Sequence, residues 1–197
     1  MQKIVGLIAA VCLLPFIGFS QDDSEVQSPT FGVHFFFADF HSARVIRTTS
    51  LSSAISKKEF GKIKEMAPGL ALNYVKGLTP TFDFSAMFGG SFLDYPKEKG
   101  GNLAENGLLL ELDASIRGKM FTNKYWVSPY VQLGVGVSKF KGYWGAYIPA
   151  GVGLQLNLFD EAFLMVNSQY RIPVIENTTS YHFFHSIGLA GIIGKKK

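Results

Sequence analysis

Between Ser128 and Val174 the chain reads SPYVQLGVGVSKFKGYWGAYIPAGVGLQLNLFDEAFLMVNSQYRIPV, apolar residues alternating with small or polar ones almost without a break. Side chains along a strand point to its two faces in turn, so this stretch specifies a sheet with one bulky apolar face and one small or polar face. Such a sheet has two homes. In a soluble barrel the apolar face turns inward, and in a membrane barrel it turns outward to lipid.

Sorting positions by parity decides between them. One face carries Val131, Leu133, Val135 and Val137, then Ile148, Ala150, Val152, Leu154 and Leu156. The other carries Tyr130, Gln132, Gly134, Gly136 and Ser138, then Tyr147, Pro149, Gly151, Gly153, Gln155 and Asn157. Earlier in the chain Leu108, Leu110, Leu112, Ala114 and Ile116 oppose Leu109, Glu111, Asp113, Ser115 and Arg117. A water-soluble barrel would display the glycines as a bare outer surface, which is poor strand chemistry, whereas small residues suit a narrow interior. The polar face also gathers Asp83, Glu111, Asp113, Arg117 and Arg171, charges of both signs that can neutralise one another in a lumen. The sequence therefore predicts lipid outside and a polar charge network inside.

Eight such segments are predicted, an even number: Thr30 to Phe40, Gly69 to Leu78, Thr81 to Leu93, Leu108 to Lys119, Val127 to Lys139, Ala146 to Leu158, Phe163 to Ile172 and Tyr181 to Ile193. Turns after the second, fourth and sixth are short, while the connections on the other side include His41 to Pro68 and DYPKEKGGNLAENG. Outer-membrane barrels show this asymmetry, with tight periplasmic turns and longer outer loops. LSSAISKKEFGKIKEM, in the first loop, predicts a short amphipathic helix. Aromatic residues are expected to form two interfacial belts, with Phe31, Phe82, Phe121, Tyr125, Trp126, Phe159 and Phe163 at one end. Phe40, Tyr95, Phe140, Tyr143, Trp144, Tyr147, Tyr181 and Phe183 are expected at the other. The fold class is all-β: an eight-stranded antiparallel up-and-down transmembrane β-barrel preceded by a signal peptide.

The leader is read from MQKIVGLIAAVCLLPFIGFSQDD, one Lys, an apolar run and a polar switch at Ser20. The expected organisation is a signal peptide over 1–20, a periplasmic segment over 21–29, the barrel over 30–193 and a basic tail over 194–197. Cys12, the only cysteine, falls in the leader, so a mature chain has neither thiol nor disulfide, and Val11 before it argues against lipidation.

The net charge of +4 is concentrated rather than spread. Arg44, Arg47, Lys57, Lys58, Lys62 and Lys64 face only Glu59 and Glu65 in the first loop, an excess equal to that of the whole chain. An exported protein meets no nucleic acid, so the partners expected of this basic patch are outer-membrane lipid and the phosphates of lipopolysaccharide; the alternative is a loop whose charges are simply solvated.

Several phrases, APGLALNYVKGL, GGSFLDYP, the long Lys124 to Val174 run and YHFFHSIGLAGIIGKKK, resemble the barrel portion of OmpA-like outer-membrane proteins from Bacteroidetes. The resemblance covers nearly the whole mature chain, and implies insertion by the barrel assembly machinery. Relatives of this kind often continue into a peptidoglycan-binding domain, but this sequence stops at Lys197. Typical barrels also end on an aromatic residue, where here Ile193 is followed by Gly194 and three lysines.

Catalytic and cofactor chemistry is weakly represented. The histidines are His34, His41, His182 and His185. Adjacent His185 and Ser186 suggest a nucleophile pair, but neighbouring strand residues point to opposite faces and no carboxylate of the last strand completes a triad. Metal-ligand spacing on one face is lacking, and the glycine pairs of GVGVS and GVGLQ have no following helix to make a phosphate loop. The expectation is a non-enzymatic barrel without cofactor or metal, structural or surface-binding, with a plugged polar lumen. Two alternatives stay open: a small-solute porin, and a soluble periplasmic lipid-binding barrel with its faces inverted.

Overall fold

The computed structural model describes residues 26–96, 102–158, 161–174 and 178–193. The expected leader, residues 21–25 of the expected N-terminal segment and the basic tail lie outside them, as does Phe159. Eight strands form a closed barrel in which each pairs antiparallel with its chain neighbours. They are β1 (Thr30–Asp39), β2 (Ala67–Gly77), β3 (Phe82–Pro96), β4 (Asn102–Lys119), β5 (Val127–Phe140), β6 (Tyr143–Leu158), β7 (Ala162–Pro173) and β8 (His182–Ile192). Pairing of β1 with β8, from Thr30 opposite Ile192 to Asp39 opposite Phe183, closes the ring. Closure satisfies strand backbones within the sheet, the condition for a sheet to stand in hydrocarbon. Among the described residues no helix is long and apolar enough to cross a membrane.

The alternation resolves with the bulky face outward. Leu133 is 61% exposed while its neighbour Gln132 is 4% exposed. Val131, Val135, Val137, Val152 and Leu72 likewise face out. The inward glycines make room for rings. Tyr130 sits opposite Gly153, and Tyr147 opposite Gly136, in the β5–β6 ladder, and a Cβ at either glycine would run into that ring. This is the reverse of a lipid-carrying barrel, whose apolar set would line the cavity.

Three expectations need correction. DYPKEKGGNLAENG is not a free loop: β3 and β4 continue past Leu93 and Leu108 as a hairpin pairing Tyr95 with Ala104 and Pro96 with Asn102. A register shift there is absorbed at Asn106, whose φ is 47° and whose N–H donates to Asp94 Oδ1 at 2.6 Å. DYPKEKGGNLAENG carries no alternating apolar pattern, so its sequence reads as a loop although the backbone pairs. The first loop holds two α-helices and a 3-10 turn (Ile63–Glu65) rather than one helix. The predicted helix appears as α2 (Leu51–Ser56), but α1 (Phe40–Thr48) precedes it, capped by Asp39 Oδ1 accepting from Ser42 N–H at 2.8 Å.

The third correction concerns the belts. Tyr143, Trp144, Phe121, Tyr125 and Trp126 are exposed at the strand ends as expected of interfacial rings. Tyr95, Phe140, Tyr147 and Phe163 are instead buried. Their parity points them into the lumen, and a ring at the end of an inward row caps the barrel rather than ringing it.

Candidate functional site

The lumen is packed in layers. In the half nearer the long first loop, Arg171 of β7 reaches across to β4. Its Nη1 donates to Glu111 Oε2, its Nη2 to Asp113 Oδ2 at 3.0 Å, and its Nε to Gln169 Oε1 at 3.3 Å. Phe184 lies 3.8 Å beneath the guanidinium and Tyr147 4.9 Å away. His182 Nε2 approaches Glu111 Oε1 at 3.3 Å. Glu111 and Asp113 share a face because they are two residues apart, and one planar fork engages both carboxylates.

Above this layer Phe40, Tyr95 and Phe140 close the mouth. Phe40 packs on Tyr95 at 5.3 Å, Tyr95 on Phe140 at 5.0 Å, and Phe40 stacks on His182 at 4.5 Å. The Tyr95 hydroxyl accepts from Ser180 N–H at 3.1 Å, tying β3 to the approach of β8.

The opposite half is held by a second ion pair, Lys119 to Asp83 at 3.1 Å, both side chains fully buried. Lys119 also donates to Asn123 Oδ1 at 2.9 Å. The segment before β1 enters this mouth: Gln27 Oε1 accepts from Gln155 Nε2 at 3.2 Å, and its backbone carbonyl accepts from Gly77 N–H at 3.0 Å. All five charges predicted inside are inward and buried, but they do not form one network. Arg171, Glu111 and Asp113 meet in one layer and Asp83 lies in the other. Arg117, between them, has Met165 Sδ at 3.5 Å and the Tyr130 ring at 5.0 Å. Among the described residues no carboxylate is within ion-pair distance of it. Lys119 was the missing partner, and the even spacing from Glu111 through Arg117 to Lys119 would have found it.

The basic patch stands at the same rim as α1. Arg44, Arg47, Lys57, Lys58 and Lys64 are exposed, and Arg47 lies 3.5 Å over the Tyr181 ring. Lys62 differs. Its ammonium meets Glu59 at 2.6 Å and Glu65 at 3.6 Å, while His41 bridges the same carboxylates at 3.1 and 2.9 Å. Arg44 and Lys64 help line an open cavity of about 480 Å³ with Phe40, Met66, Phe92 and Tyr181.

This cluster gives the loop a pH window. The hydrogen bond from Lys62 holds the Glu59 carboxyl below its ordinary value of 4.5, and the same bond raises the Lys62 ammonium above 10.5. The stabilisation from Glu59 is complete above 4.5 and is lost as pH falls through the depressed folded value. That from Lys62 is complete below 10.5 and is lost as pH rises through the raised one. A nitroxide at Ser52→Cys is therefore expected to stay immobile across neutral pH and to gain mobility on acidification below the glutamate range. Unchanged mobility there would assign the loop's order to other contacts.

The histidines do not assemble a catalytic centre. Ser186 points inward, 3.4 Å from His34 Nδ1, while His185 points outward and pairs with Ser168 at 2.9 Å. His41 stays on the rim and His182 in the lumen. Among the described residues no three His, Cys, Asp or Glu side chains are grouped to hold a metal ion.

No protein-family model matches the chain, and no curated protein sequence matches it. Among solved structures it is similar to Neisserial surface protein A, with TM-score 0.52 and 11% identity over 85% of this chain and 99% of that one. It also matches the N-terminal β-barrel domain of Pseudomonas aeruginosa OprF, at TM-score 0.49 and 12% identity over 84% and 98%. Ail, the attachment invasion locus protein of Yersinia pestis, matches at 0.48 and 12% over 83% and 95%. The first likeness, at that identity, is one of fold: the closed eight-stranded membrane barrel.

Proposed function

We propose that the protein is a non-catalytic outer-membrane barrel with a closed lumen, exposing a basic first loop to anionic lipid phosphates. The observation that carries this reading is the filled interior. Two buried ion-pair layers, Arg171 with Glu111 and Asp113, and Lys119 with Asp83, lie between an aromatic cap and the Gln27 plug. An eight-stranded barrel has an interior just wide enough for side chains to fill, so function falls to its outer surface and loops. In this reading the short turns and both termini are periplasmic, residues 1–20 are a cleaved leader, and the assembly machinery inserts the chain. The resemblance of the quoted phrases to OmpA-like barrels supports the same placement.

The test uses Ser52→Cys, on α2, in a mature chain otherwise free of cysteine. An impermeant maleimide is expected to label it on intact cells, and the unmutated protein is expected to show no steady conductance in planar bilayers. Labelling only after the outer membrane is broken would reverse the orientation. Large, steady conductance would replace the plugged barrel with a small-solute porin.

A further inference from the structure

The outward face of a membrane barrel is apolar because hydrocarbon offers polar groups no partner. One place on the wall made by β1, β6, β7 and β8 breaks that rule. Ser168 and His185 are opposite one another in the β7–β8 ladder, both facing out and only partly covered, with Oγ and Nδ1 2.9 Å apart. When the Ser168 hydroxyl donates to Nδ1, the ring carries its proton on Nε2, a donor that a lipid carbonyl can use. Around the pair runs a groove of about 450 Å³ lined by Phe35, Phe37, Val152, Leu154, Val166 and Ile187. Its chemistry suits an acyl chain.

Toward the first loop the wall changes character in order. The His185 ring lies parallel to Phe183 at 5.6 Å, Phe183 packs on Tyr170 at 4.8 Å, and Tyr170 stacks on Tyr181 at 5.9 Å. Arg47 covers Tyr181, and exposed Arg44 is one turn away on α1. From the rim inward the sequence is cation, aromatic rings, polar donor, apolar groove. A phosphorylated, acylated glycolipid presents phosphate, sugar, ester or amide carbonyl and hydrocarbon in that same order.

We infer that this wall is a binding site for one lipid A moiety of lipopolysaccharide, with Arg47 at the phosphate level, Tyr170 and Tyr181 beside the sugar, and the Ser168 and His185 pair at an acyl carbonyl. The inference rests on the outer-membrane placement proposed above. It adds a defined lipid to a barrel whose loop charge alone would attract any anionic surface.

The test is native mass spectrometry of the full mature protein in detergent, titrated with bisphosphorylated lipid A, its dephosphorylated form, or phosphatidylglycerol. The unmutated protein is expected to retain bisphosphorylated lipid A in preference to both others. Arg47→Gln should weaken the bisphosphorylated form about tenfold, the loss of one charged hydrogen bond, and leave the dephosphorylated form unchanged. Ser168→Ala with His185→Phe should weaken both lipid A forms. Val166→Trp, which fills the groove without removing a polar group, should do the same and guards against a folding defect in the double variant. Equal retention of all three lipids, or unaltered retention by all variants, overturns the site. If Ser52→Cys labels on intact cells while lipid retention is unaltered, only the lipid site fails; labelling only after the outer membrane is broken overturns instead the orientation that sets Arg47 at the outer leaflet.

Discussion

Replacing Arg171 with Met is expected to destabilise the barrel by about 3–5 kcal/mol, the cost of leaving buried carboxylates without their cation. Both Glu111 and Asp113 are held by that one guanidinium, and both are buried. Adding Glu111→Gln and Asp113→Asn to the same variant removes the orphaned charges and is expected to restore most of the loss, since a neutral replacement of a buried ion cluster is often tolerated. Arg117→Met provides the contrast. Its guanidinium contacts a thioether and a tyrosine ring rather than a carboxylate, so the loss is expected to be clearly smaller. Urea unfolding in lipid vesicles, followed by tryptophan fluorescence, measures all three. Equal losses at Arg117 and Arg171 would mean that the lumen charges act as one diffuse network and not as two layers.

A second large effect is expected outside the barrel. Leu133→Arg places a charge on the outward face of β5, where Leu133 pairs with Ile116 and Ala150 far from either strand end. In lipid the cost is about 2–4 kcal/mol near the bilayer midplane. On a water-exposed strand the same substitution would stay within about 0.5 kcal/mol. The magnitude thus reports the solvent that this face meets. A near-neutral result in vesicles would place the apolar face in water.

Much of this architecture was legible because parity is a strict rule. A strand cannot present Leu112 and Asp113 to the same side, so the even spacing of Glu111, Asp113 and Arg117 put them on one face before any pairing was known. What parity does not give is the register around the ring. That Arg171 meets Glu111 and Asp113, while Asp83 meets Lys119, depends on β4 and β7 facing each other across the lumen, which no local pattern states. Lys119 ends the predicted strand, although its spacing continues the inward row. Tyr95, Phe140 and Tyr147 read as belt residues by their height along the strands, whereas parity turns all three inward, Tyr95 and Phe140 into the cap and Tyr147 beside Arg171 beneath it. In α1 the signal was present in the capping Asp39, but the apolar run from β1 into Phe40 masked it. The Ser168 and His185 pair was hidden for another reason: the conspicuous neighbours in sequence are His185 and Ser186, whereas the contact lies across the β7–β8 ladder.

The central claim, that the apolar face of each strand meets lipid and the polar face a filled interior, is tested most directly by a nitroxide scan of β5 from Tyr130 to Ser138 in lipid vesicles. Labels at 131, 133, 135 and 137 are expected to collide with oxygen dissolved in the bilayer and to be shielded from a water-soluble nickel chelate. Labels at 132 and 138, inward positions that carry a polar side chain rather than a glycine or a packed ring, are expected to be shielded from both. Nickel access at the even positions would mean an open aqueous lumen, and nickel access at the odd positions would mean that the apolar face lies in water and the barrel does not span a membrane.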